Sequence, residues 1–112
     1  MKKYIKHGKV AVLYSPGYGA GWYSWNQDMP DLLFDPDIVQ FVLDHPWAFT
    51  DGCDKTKEEF MSAFKSRYPD AYFGGWKDLR IEWITIGRQF RISEYDGFES
   101  IEYNDDVEWI TA

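Results

Sequence analysis

Three glycines at alternate positions, Gly17, Gly19 and Gly21, follow Ser15-Pro16 and run straight into Trp22, Tyr23 and Trp25. Glycine lets a backbone take positive φ and lets another group come close. N–H groups in such a loop can form a concave nest for a phosphate or carbonyl oxygen. Rings beside the nest would stack on a flat ligand, since any base or sugar face offers them a surface. A second aromatic–glycine segment, Tyr72-Phe73-Gly74-Gly75-Trp76, would supply the opposite wall, and Arg80, Arg88 or Arg91 would neutralise charge. The candidate ligand-binding set is therefore Ser15, Gly17, Tyr18, Gly19, Gly21, Trp22, Trp25, Trp76, Arg80 and Arg91. The competing reading is a tight corner capped by a small aromatic core. The pocket depends on the two segments meeting in space.

The loop fits neither common phosphate-binding pattern. No Gly-Lys-Ser/Thr follows it, so the lysine of a Walker loop is missing. Trp22 stands where a dinucleotide fingerprint needs its third glycine, and no parallel βαβ unit surrounds it.

Catalytic constellations are thin. His7 and His45 stand apart, with no His-x-x-x-His or Cys-x-x-Cys spacing, so no metal and no cofactor is expected. Cys53 has no histidine near it in sequence, and Ser15 lacks a Gly-x-Ser-x-Gly elbow. Glu82 and Glu94 are expected on adjacent strands, where they would form either an acid–base carboxylate pair or part of an ion-pair lattice. Binding without turnover is favoured over catalysis.

The elements that must position these groups read in order. Lys9–Tyr14 is an apolar strand after a basic lead-in that could add a short edge strand. Asp35–Asp44 is a helix: Asp35 suits the N-cap, Pro36 sits at N1, and Ile38, Val39, Val42 and Leu43 form a stripe. A second helix is expected over about Lys57–Tyr68, with Thr56 and Glu59 as a capping box and Phe60, Ala63, Phe64 and Tyr68 buried. A loop from Trp47 to Asp54 joins the two. Leu79–Ile86, Gln89–Tyr95 and Phe98–Tyr103 read as a β meander, with Asp96-Gly97 as a hairpin turn and Val107–Ile110 as a possible edge strand. Strand one should join this sheet, because a lone strand is not stable. The expected fold is one α+β domain over residues 1–112: a mainly antiparallel sheet packed with two helices.

Composition narrows the partners. Aromatics make up 20% of the 112 residues, enough for a compact core with rings left over for a site. The net charge of −7 disfavours a nucleic-acid backbone or an anionic membrane as partner. After Arg91 there is no further Lys or Arg, while seven acids follow: Glu94, Asp96, Glu99, Glu102, Asp105, Asp106 and Glu108. These read as a solvated face or as an acidic surface that engages a basic partner protein. A single cysteine, no apolar run near 20 residues and no secretory pattern at the basic start together predict a soluble cytoplasmic protein.

The run Val10-Ala-Val-Leu-Tyr-Ser-Pro-Gly-Tyr-Gly-Ala-Gly-Trp-Tyr-Ser-Trp-Asn26, with Leu33-Phe-Asp-Pro36 and Phe90-Arg-Ile-Ser-Glu-Tyr-Asp-Gly-Phe-Glu-Ser-Ile101, resembles a family of short uncharacterised proteins of tailed bacteriophages. The resemblance implies a context rather than a chemistry: a small accessory protein in an infected bacterium. Such proteins often counter host defence by sequestering a nucleotide signal or blocking a defence protein. The partners expected are thus a small polar ligand or a host protein, and a homo-oligomer could complete the site.

Overall fold

The computed structural model describes residues 2–17, 21–45 and 54–103. Tyr18, Gly19, Cys53 with its loop, and the expected strand Val107–Ile110 lie outside them.

Within the described residues the chain is a small α+β protein with two helices and two antiparallel sheets. Strand β1 (Ile5–Lys6) turns through His7-Gly8 into β2 (Lys9–Tyr14). Positive φ at both turn residues, 53° and 75°, matches the right-handed twist of a two-residue hairpin. Strand β3 (Arg80–Thr85) pairs antiparallel with the other side of β2, from Lys9↔Thr85 to Tyr14↔Arg80. The central strand β2 is buried almost throughout, as its unbroken apolar run requires.

Strands β4 (Phe90–Tyr95) and β5 (Phe98–Tyr103) form a separate two-stranded sheet around Asp96-Gly97. The expected single meander is thus split after β3. Of the residues in the Thr85–Arg88 turn, Gly87 alone has positive φ, at 88°, and the Arg88 N–H donates to the Thr85 carbonyl. That is the pattern of a type II turn, which splays its flanking strands instead of pairing them. The hairpin folds over one face of the first sheet. Phe90, Ile92, Ile101 and Tyr103 pack there against Val10, Val12, Leu33 and Ile84.

The helices cover the opposite face. Helix α1 (Pro36–Asp44) is capped by Asp35, whose Oδ1 accepts from the N–H groups of Asp37 and Ile38. Its stripe ends at Val42; Leu43 is exposed. Helix α2 spans Asp54–Phe64, earlier at both ends than the expected Lys57–Tyr68. Thr56 is therefore a buried helical residue and not a cap, Ala63 points to solvent, and the chain leaves the helix before Tyr68. Phe60 and Phe64 join Ala11, Leu13, Trp22, Phe73 and Trp76 in the main core.

Buried Asp35 also ties the helices together. Its Oδ2 accepts from Arg67 Nη2 at 2.7 Å and from the Tyr68 hydroxyl. Burial first, then the bond to the Asp35 carboxylate, pushes the Tyr68 phenol well above its ordinary pKa of 10.0. The fold favours the protonated phenol, so this contribution is full below pH 10 and is lost as pH rises beyond it. Tyr68→Phe is expected to cost about 1 kcal/mol at neutral pH. It should also flatten the loss of stability above pH 10. Alkaline unfolding followed by circular dichroism compares the two proteins, and equal slopes above pH 10 would contradict the assignment.

Candidate functional site

The two aromatic–glycine segments meet. Ser15 Oγ donates to the Gly75 carbonyl at 3.1 Å, and any side chain on Gly75 would run into the Gly21 carbonyl. Asn26, 2% exposed, completes the join. Its Nδ2 donates to the carbonyls of Trp22 (2.7 Å) and Tyr72 (2.9 Å), and its Oδ1 accepts the Tyr72 N–H at 2.8 Å. One amide side chain thereby fixes the turn Tyr23–Trp25 to the segment that precedes the turn Trp76–Asp78.

At the centre of this corner lies a carboxylate. Glu99, on β5, is fully buried. Its Oε1 accepts the Ser15 N–H at 2.8 Å. Its Oε2 accepts the N–H groups of Trp22 (2.9 Å) and Ser24 (2.7 Å) and the Ser24 hydroxyl (2.7 Å). Its own N–H donates to the Ser15 carbonyl at 2.9 Å. The acceptor is the protein's own carboxylate, and the N–H groups that hold it belong to Ser15, Trp22 and Ser24 and not to glycines. No buried side-chain polar atom among the described residues lacks a partner.

The acids after Arg91 therefore do not form one solvated face. Strand alternation puts Phe90, Ile92 and Glu94 on the same face of the hairpin as Glu99, Ile101 and Tyr103, and that face packs inward. The signal was present in the sequence: Glu99 stands two and four residues before two packing side chains. Glu82 and Glu94 do not meet either, because β3 pairs with β2 and not with β4. Glu82 lies opposite Val12 and accepts from the Tyr103 hydroxyl at 3.2 Å, whereas Glu94 lies opposite Glu99 and accepts the Gly97 N–H.

The rings divide into two groups. Trp22 is fully buried, stacks on Phe73 at 5.2 Å and donates Nε1–H to the Leu32 carbonyl at 2.7 Å. Trp76, also buried, packs on Phe60 at 5.6 Å. Both belong to the core. Trp25 and Tyr72 face out, 58% and 51% exposed, with ring centroids 6.0 Å apart and planes tilted by 58°. Each lies over a glycine, Trp25 on Gly21 and Tyr72 on Gly74, at positions where a Cβ would clash with the ring. These glycines serve close approach: they let the two outer rings settle against the backbone.

The remaining candidates are spread around this corner. Gly17 lies against the Asp78 side chain. Arg80 is exposed on β3, with Nη1 donating to the Leu79 carbonyl. Arg91 is exposed on β4 and engaged by Glu102, at 2.6 Å through Nη2 and 2.7 Å through Nε. This bond and the guanidinium charge hold the Glu102 carboxyl below its ordinary range.

Among the described residues no cluster of His, Cys, Asp and Glu is suited to a metal ion, and no helix is long and apolar enough to cross a membrane. Comparisons with protein-family models, with curated proteins and with solved structures give no match.

Proposed function

We propose that this chain is a binding protein that holds a small polar ligand without turnover, on the outer side of the glycine corner. The ligand bears a flat face, as a nucleotide signal does, and stacks on Trp25 and Tyr72. The resemblance to tailed-phage proteins supplies the setting, a counter to host defence. One observation carries the reading: two large rings are held in solvent by a corner that the buried side chains of Asn26 and Glu99 fix. Exposed rings in a mobile loop would lose entropy on binding, whereas rings pinned by Asn26 and Glu99 are already placed. The buried Trp22 and Trp76 contribute to this site as its support, and exposed Arg80 is available to meet negative charge on the ligand.

The test begins with native mass spectrometry of protein purified from bacterial cells, followed by denaturation and a search for released small molecules. A stoichiometric nucleotide or metabolite is expected. Trp25→Ala should then weaken its binding by about 1–3 kcal/mol, the usual worth of one stacked ring. Because Trp25 is largely exposed, its melting temperature should stay within a few degrees of the parent's. Unchanged affinity in both Trp25→Ala and Tyr72→Ala would overturn the site.

A further inference from the structure

The hairpin leaves one backbone edge open, and a groove lies along it. The turn Asp96-Gly97 has positive φ at both residues, 50° and 83°, and joins the pair Tyr95↔Phe98. In such a two-residue hairpin the closing pair is hydrogen-bonded and the pairs then alternate. The N–H and C=O groups of Glu94, Ile92 and Phe90 therefore point away from β5, as those of Glu99 point away from β4. On the β5 side this is borne out by the Glu99 N–H, which donates outward to Ser15. On the β4 side, no described residue takes the outward groups of Phe90, Ile92 or Glu94.

A groove of about 460 Å³ flanks this edge. The turn carrying Tyr23 and Gln27 forms one wall, Leu33 lies between, and Ile92 and Glu94 line the other wall. The geometry points to a docking slot for one extended polypeptide segment of a partner protein, which adds as a third strand beside β4. Outward groups at every second residue repeat at about 6.8 Å, the spacing of a strand's own donors and acceptors. They extend over about 14 Å from Phe90 to Glu94, room for roughly five residues. A compact ligand cannot use such a row, whereas strand addition does so with main-chain bonds and takes its specificity from alternate side chains.

A second copy of this chain fits less well. Its β4 brings its own Tyr23–Gln27 wall, and both walls would compete for the same slot. The occupant's chemistry follows from the lining. Tyr23, Leu33 and Ile92 suit an apolar side chain opposite Ile92, and the exposed Glu94, two residues along on the same face, suits a basic one opposite it, while Arg91 on the other face disfavours a basic residue between them. The site is separate from Trp25 and Tyr72 and does not rest on ligand binding there.

The test uses a random linear peptide library selected against the whole chain, followed by residue-resolved amide exchange with the selected peptides. Expected are peptides with an apolar and a basic residue two positions apart that slow exchange at Ile92 and Glu94 by at least about tenfold. The Arg91 and Ser93 amides, already bonded to β5, should change little. N-methylation of the peptide at alternate amides should cost at least about tenfold in affinity in one register and little in the other. Glu94→Lys should disfavour the basic peptides, and Trp25→Ala should leave them bound. The proposal is overturned if no peptide is enriched, if protection falls elsewhere, or if N-methylation has no register dependence.

Discussion

Glu99→Ala is expected to leave the chain unfolded or to lower its melting temperature by at least about 15 °C. The substitution removes the acceptor of three backbone N–H groups and one hydroxyl, two of these groups, the Ser15 and Trp22 N–H, being buried. Each buried donor left unmade costs about 1–3 kcal/mol, against a total stability of about 5–15 kcal/mol for a domain. Glu99→Gln separates shape from charge. Its amide oxygen can replace Oε2 toward Trp22 and Ser24, but its NH₂ then faces the Ser15 N–H, donor against donor. A loss of about 2–3 kcal/mol is expected, or roughly 10 °C in a domain of this size. Thermal denaturation followed by circular dichroism reads both variants. A Glu99→Gln protein that melts with its parent would show that the carboxylate is not what closes the corner.

Trp22→Ala should cost about 3–5 kcal/mol, the usual range for emptying a buried tryptophan site. The ring stacks on Phe73 and lies edge-on to Phe60, so the cavity would open at the junction of both helices with β2. Trp22→Phe keeps much of the packing but strands the Leu32 carbonyl, and should cost about 1–3 kcal/mol. Three residues further on, Trp25→Ala should change stability by no more than about 0.5 kcal/mol. Denaturant titration of the three variants decides this. Equal losses at Trp22 and Trp25 would mean that the two rings are not divided between core and surface. The contrast also bears on function: loss of binding in Trp22→Ala reports unfolding, whereas loss in Trp25→Ala reports the site.

Several elements were legible in the sequence because their causes are local. An apolar run fixed β2, Asp35 with Pro36 set the start of α1, and Asp96-Gly97 set the second hairpin. Each depends on neighbours within a few residues: a capping bond, a fixed φ or a left-handed turn. Gly87, between β3 and β4, marks a bend in the chain, but a glycine in the sequence does not say whether the flanking strands pair. That was decided by which face of β2 and β3 still needed cover, and the hairpin provides it.

The site depended on longer distances. By itself, the sequence determined that glycines would stand beside aromatic rings at a turn after β2, and it left open whether that turn is a ligand nest or a structural corner. Only the tertiary structure decided that the turn closes on Glu99, from 84 residues beyond Ser15, that Trp22 turns inward, and that Trp25 and Tyr72 are left outside. A carboxylate on a strand is equally at home in water or among buried donors. Which state it takes is set by the donors that other parts of the chain bring to it, and those donors are assembled only when the chain has folded.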